Sequence, residues 1–191
     1  MAERVSALAG HLEPRVEGAG GEAGPAVVLS ERRLGSLWQI AAWPDRIAQA
    51  GAAAARAAGT ATAPAPLESV EGPSGTLIRT EPLKWLLASE AALPAPGLAP
   101  DEGTLLDLSH ARTVLRIEGP ATRELLARLV PIDLRAGAFP EGRAAATGLH
   151  HIGVLLHHRA GGIDLYAPRS FGLSVFEHVA TVARQFGLRV A

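Results

Sequence analysis

Four histidines invite a metal reading: His150, His151, His157 and His158 flank the apolar stretch at residues 152–156. On a strand, His151 and His157 share one face, and His150 and His158 share the other. At roughly 3.3 Å per residue of strand, the first pair stands ~20 Å apart and the second ~26 Å. A metal's nitrogen ligands lie only ~2 Å from it, so one ion does not span that gap. A hairpin inside the segment would close it, but no turn signal lies between the pairs, and His110 would have to supply a further ligand from elsewhere. The four are read as partly exposed histidines at strand ends.

Nucleophilic chemistry fares no better. Ser109 and His110 are adjacent, and neighbours on a strand point to opposite faces. No G-x-S-x-G elbow occurs, because Arg169-Ser170-Phe171 lacks the glycines that make the strained turn. No G-x-G-x-x-G or P-loop pattern is present, and Gly161-Gly162 is read as a hairpin turn between two strand-like runs. Asp107 lies among apolar neighbours in LLDLSH, which suggests a buried carboxylate in need of a partner. One reading is an acid–base or amine-contacting group. The favoured one is a carboxylate satisfied by backbone N–H groups at a strand end. Trp38, Trp43 and Trp85 are read as core or interface anchors. No catalytic, cofactor-binding or metal-binding residue is assigned.

Behind these residues stand the elements that must position them. Residues 1–25 are rich in Gly, Ala and Glu with few bulky apolar groups, and are read as a flexible or partner-ordered tail. Residues 26–191 are read as a single domain. AVVLSER from Ala26 is a first strand or the end of the tail. LWQIAAW (37–43) is a strand, and Pro44 is expected in the first turn of a helix that runs to Gly59. A short strand is placed near 67–71, and two more at 76–80 and 84–88. LLDLSHA and TVLRIEG are expected to pair antiparallel around residues 109–112. Pro120 opens a helix with Ala121, Leu125, Leu126 and Leu129 on its apolar face, ended by Pro131. Three strands follow, at 143–151, 153–159 and 161–168.

The last helix has the clearest period, with Phe171, Val175, Val179, Val182 and Phe186 on one stripe, Ser170 as N-cap and Gly187 as stop. Arg169 gains nothing from the dipole at a helix start, so an acidic partner is expected for it, within this chain or on a neighbouring subunit. The order of elements implies an α+β domain, with helices packed on a mainly antiparallel sheet.

Composition bounds the function. The 191 residues are 48% apolar and 19% charged, enough for a core, but only 4% are aromatic. A net charge of -1 gives no basic face for nucleic acid. The absence of cysteine excludes disulfides, thiolate nucleophiles, iron–sulfur clusters and cysteine-bound zinc. No apolar stretch approaches the ~20 residues of a membrane span, and the opening MAERVSALAGHLEP lacks the long apolar segment of a signal peptide. A cytoplasmic protein is expected.

Three stretches carry a family resemblance. DLSHARTVLRIEGPATRELLARLVPIDL (107–134) resembles the aminomethyltransferase, or glycine-cleavage T-protein, superfamily. LWQIAAWPD (37–45) and EPLKWLLAS (81–89) resemble strands of sarcosine oxidase gamma subunits. DLRAGAFPEGRAAAT (133–147), followed by YAPRSFGLSVFEHVATVARQFG (166–187), is similar to the same family and is the most specific of the three. The likeness spans roughly residues 37–187.

The resemblance implies a fold like the folate-binding domain of aminomethyltransferase, and a place in a heterotetramer with alpha, beta and delta subunits. In that family a large subunit binds NAD and tetrahydrofolate, a second binds FAD and shares an FMN with it, and a small fourth subunit holds zinc. Sarcosine is demethylated to glycine, oxygen becomes hydrogen peroxide and the one-carbon unit passes to tetrahydrofolate. The gamma subunit is not assigned the catalytic work, so no cofactor is expected in this chain. The chain is much shorter than a full aminomethyltransferase and lacks the Lys-x-Cys motif of related tRNA-maintenance proteins. Both departures point to a degenerate scaffold. Three alternatives stay open: the equivalent subunit of another N-methyl amino acid dehydrogenase, such as one acting on N-methylglutamate; a stand-alone folate-binding transferase; and a structural protein unrelated to flavin chemistry.

Overall fold

The computed structural model describes residues 5–18 and 24–191. In chain order the elements are β1 (Arg15–Glu17), β2 (Val27–Glu31), β3 (Ser36–Ala42), α1 (Ile47–Ala58), β4 (Ser69–Gly72), β5 (Gly75–Glu81) and β6 (Lys84–Ser89). Then come β7 (Gly103–Asp107), β8 (Arg112–Glu118), α2 (Thr122–Ala127), β9 (Ala144–Leu149), β10 (Ile152–Arg159), β11 (Gly162–Pro168), α3 (Gly172–Ala183) and β12 (Leu188–Val190). The chain divides into two compact units, one built mainly from Arg33–His110 and the other from Ala111–Glu141, Ala146–Ala191 and the segment up to Arg32.

The first unit to be complete in sequence carries a five-stranded antiparallel sheet in the order β4-β5-β6-β3-β7. Ile40, Leu77, Trp85 and Leu87 form its core with Ala50, Ala54 and Ala58 of α1. An alanine-lined helix face lets the backbone lie close to the sheet. Gly59, at φ 77°, ends α1 in the left-handed conformation that glycine adopts without strain. Pro44 does not enter the helix. The Arg46 N–H reaches the Trp43 carbonyl at 2.9 Å, closing a turn in which Pro44 takes the second position that its fixed φ suits.

The other unit carries a seven-stranded sheet in the order β1-β12-β2-β8-β11-β10-β9. β1 with β12, β2 with β8, β8 with β11 and β11 with β10 pair antiparallel, while β12 runs parallel to β2. Leu29, Leu115, Ile117, Ile163, Leu165 and Leu156 stand on one face, since successive pairs lie directly opposite in register. All six are buried. α3 packs on β8 and β11, and a Cβ added to its first residue, Gly172, would meet Thr113 Oγ1 at 2.7 Å.

Several expectations change here. Within the segment read as a tail, β1 pairs with β12 and Leu8 is fully buried; residues 1–4 and 19–23 lie outside the described residues. β7 and β8 do not pair. β7 joins β3, and the Leu108 N–H holds to the Leu37 carbonyl at 2.8 Å, so the chain stays with β3 instead of reversing. β8 joins β2 and β11 in the other sheet.

α3 starts at Gly172, and Ser170 is no cap: residues 169–171 form a 3-10 turn. The three-residue period of that turn takes Phe171 off the stripe and leaves it 48% exposed. The stripe that is buried is Val175, Phe176, Val179, Ala180 and Ala183, while Val182 and Phe186 are half-buried. The β10–β11 hairpin turns at Ala160 and Gly161, with Gly162 already paired to Arg159. Among the described residues no helix is long and apolar enough to cross a membrane.

Candidate functional site

The most heavily charged buried feature is a polar row across the seven-stranded sheet. Ser30 of β2 lies opposite Arg116 of β8, Arg116 opposite Asp164 of β11, and Asp164 opposite His157 of β10. Asp164 is wholly buried. Its Oδ2 accepts from Arg32 Nη1 at 3.0 Å, and its Oδ1 from Arg116 Nη1 at 3.1 Å. Arg159 Nη1 stands 3.9 Å from Oδ2. Arg116 also faces Glu118 at 3.4 Å.

A carboxylate in an apolar run is tolerated only when its charge is met, and three guanidiniums meet this one. His157, 1% exposed, has its pKa pushed down to about 3 by burial, and further by the positive charges of Arg159, Arg32, His158 and Arg116. Its ring is therefore neutral near pH 7, without the imidazolium proton that a histidine general acid gives up. The row is suited to holding strands in register, not to moving protons.

Sequence reasoning missed this row. Asp164 sits in GIDLYAP, a carboxylate between apolar residues, the same signal that drew attention to Asp107. Asp107 itself proves exposed, on the edge strand β7. Its Oδ1 accepts the Ser109 N–H at 2.8 Å, a side-chain turn of the kind aspartate favours. Ser109 is buried, and its Oγ accepts the Leu37 N–H at 2.9 Å. That hydroxyl splices the end of β7 to β3. His110 is exposed, and no hydrogen bond among the described residues joins it to Ser109, so the pair makes no nucleophile.

The histidines separate as the strand spacing requires. His150 and His151 occupy the turn between β9 and β10, while His157 and His158 lie at the far end of β10. His158 stacks on Phe139, with ring centroids 6.1 Å apart, and its Nδ1 lies 3.1 Å from the Phe139 carbonyl. Arg123 donates to the carbonyls of Phe139 and Leu134, which fixes the loop after α2. The structure supplies one meeting that the spacing argument did not contain. His178, on α3, approaches His150 with Nε2 atoms 2.6 Å apart. Burial and the neighbouring His150 lower the His178 pKa. Among the described residues no group of three or more His, Asp or Glu side chains could hold a metal.

In the five-stranded unit, Trp85 is a core anchor with the Arg79 guanidinium 5.0 Å from its ring. Trp38 is half-buried, and Trp43 is exposed with its indole N–H on the Pro100 carbonyl at 3.0 Å. An open groove of about 340 Å³ lies beside α1, lined by Ala53, Arg56, Ala57, Ser74, Leu87 and the loop at residues 93–97. Arg169, for which an acidic partner within this chain or on a neighbouring subunit is expected, donates to the Val5 carbonyl at 2.8 Å.

No family model matches the chain. It is 36% identical over 155 residues to the sarcosine oxidase subunit gamma of Corynebacterium sp. (strain U-96), covering 78% of this chain and 74% of that one. It is 34% identical over 164 residues to the sarcosine oxidase subunit gamma of Arthrobacter sp., covering 79% and 76%. Among solved structures, it superposes on a chain of the heterotetrameric sarcosine oxidase from Corynebacterium sp. U-96 with a TM-score of 0.73 and 30% identity, over 89% of this chain and 88% of that one. The aminomethyltransferase T of the glycine cleavage system from Bartonella henselae matches with a TM-score of 0.59 at 14% identity, over 84% of this chain and 47% of that one, a likeness of fold. With more than 30% identity sustained over three-quarters of its length, the chain belongs to the sarcosine oxidase gamma-subunit family.

Proposed function

We propose that this chain is a non-catalytic accessory subunit of a heterotetrameric flavoenzyme that oxidatively demethylates sarcosine, with alpha, beta and delta partners carrying FAD, FMN, NAD, tetrahydrofolate and zinc. Glycine and hydrogen peroxide are its products, and the one-carbon unit passes to tetrahydrofolate. The observation that carries the reading is the likeness, over nearly the whole length of both chains, to a chain of a heterotetrameric sarcosine oxidase. The polar groups agree with it. Asp164, Asp107 and Ser109 all make bonds that hold strands and turns, and His157 is buried and neutral. A stand-alone one-carbon transferase is disfavoured because the likeness to the aminomethyltransferase is one of fold alone, whereas the gamma subunits share 36% and 34% identity with the chain.

Co-expression with alpha, beta and delta subunits of a heterotetrameric sarcosine oxidase tests the proposal. The tagged chain is expected to pull down a yellow complex that turns over sarcosine, while the chain alone is colourless and inactive. A chain that purifies alone with bound flavin, or that oxidises sarcosine without partners, would overturn it.

A further inference from the structure

We propose that His150 and His178 form a two-histidine site for a borderline transition-metal dication of the Zn²⁺, Co²⁺ or Ni²⁺ class. The rings come from separate elements 28 residues apart, the β9–β10 turn and α3, and their Nε2 atoms meet at 2.6 Å. His150 is exposed and His178 half-buried, so an ion reaches both from solvent. Nitrogens bound at ~2.0–2.1 Å in a tetrahedral shell stand ~3.4 Å apart, so a ring movement of about 0.8 Å opens the seat.

The backbone supports the assignment. His150 has φ 52°, the left-handed region, where glycine or asparagine is the usual occupant of a turn. Such outliers cost free energy and are kept where the side chain has a task. The donor set sets the metal class, because imidazole nitrogens suit zinc, cobalt, nickel and copper and not the oxygen-seeking Mg²⁺ or Ca²⁺. No third His, Asp or Glu among the described residues completes the shell, so water fills the remaining positions. His151, on the same turn, has its ring centroid 6.4 Å from that of His150 and is not a ligand in this arrangement. Both nitrogens must present lone pairs to the ion, so binding releases any proton carried on either Nε2. The bound ion ties the β9–β10 turn to α3.

Calorimetric titration of the full chain with Zn²⁺ and Co²⁺ at neutral pH is expected to give one ion per chain, with no binding of Mg²⁺. Losing even an outer-sphere partner of a metal ligand costs about 10–100-fold in affinity, so His178→Gln and His150→Asn should each weaken Zn²⁺ by at least about tenfold. His151→Ala should bind as the unaltered chain does. Asparagine is chosen at position 150 because it tolerates positive φ. A second measurement needs no variant. Carbethoxylation of the unaltered chain, followed by mass spectrometry, should show Zn²⁺ protecting His150 and His178 while His110 and His151 continue to react. Equal Zn²⁺ affinity in the folded variants, or absence of protection at His150 and His178, would overturn the site.

Discussion

Asp164 and His157 stand directly opposite each other on β11 and β10, and water reaches neither, at 0% and 1% exposure. One is a charge satisfied by three guanidiniums, the other a base kept neutral beside them. The two respond to perturbation in different ways.

Replacing Asp164 with alanine leaves Arg32 and Arg116, 10% and 14% exposed, without the carboxylate that faces them. Breaking a buried ion pair by removing one partner costs about 3–5 kcal/mol. Urea denaturation of Asp164→Ala should show a loss of that size, or no folded protein. A loss below about 1 kcal/mol would mean that solvent already screens the cluster.

His157 gives the fold an acid limit. In the unfolded chain it takes a proton near pH 6.5, while in the folded protein its pKa is about 3. Between these values the unfolded state binds more protons, so stability rises with pH across that window and is lost as pH falls from about 6.5 toward 3. The slope approaches about 1.4 kcal/mol per pH unit in mid-window. Melting temperatures from pH 7 to pH 4 should fall more steeply for the native chain than for His157→Gln, which has no proton to take up. Parallel curves would show that other groups set the limit.

Val179 of α3 is fully buried and Phe171, in the 3-10 turn before that helix, is 48% exposed, although both belong to the apolar stripe read from the sequence. Val179→Asp buries a charge with no partner and should prevent folding of the chain. Phe171→Ser should leave the melting temperature within a few degrees, since surface changes are usually within about 0.5 kcal/mol. A normally melting Val179→Asp chain that merely fails to join its partners would reassign α3 to an interface.

Ser109 and Asp107 separate in the same way. Ser109→Ala removes the acceptor for a buried backbone N–H and should cost about 1–3 kcal/mol. Asp107→Ala loses one exposed side-chain turn and should cost less than half of that. Neither should change turnover per assembled complex. A loss of orders of magnitude in turnover for Asp107→Ala, with the complex intact, would give that carboxylate the catalytic role set aside here.

Alternation and turn residues made β3, β5, β6, β10 and β11 legible, and Gly59 marked the end of α1 to the residue. What stayed hidden depends on distant partners. β1 and β12 are three residues each, too short for a period, and exist because they pair with each other. Asp107 and Asp164 look alike in sequence. Only the sheet order, which puts one on an edge strand and the other beside β8 and β10, tells them apart. His178 escaped notice because the metal argument measured spacing along a strand, and its partner lies across to a helix.

The place of β12 has a consequence for how the chain is made. Leu188–Val190 lies between β1 and β2, parallel to β2, so the last of the described strands to be synthesised is an inner strand of the seven-stranded sheet. While the ribosome still holds those residues, β1 has no neighbour and the sheet ends at β2. Most of the five-stranded unit, Arg33–His110, has by then long left the exit tunnel and is free to fold. β1, whose sheet neighbour is β12, therefore waits for a strand more than 170 residues further along the chain before it is captured.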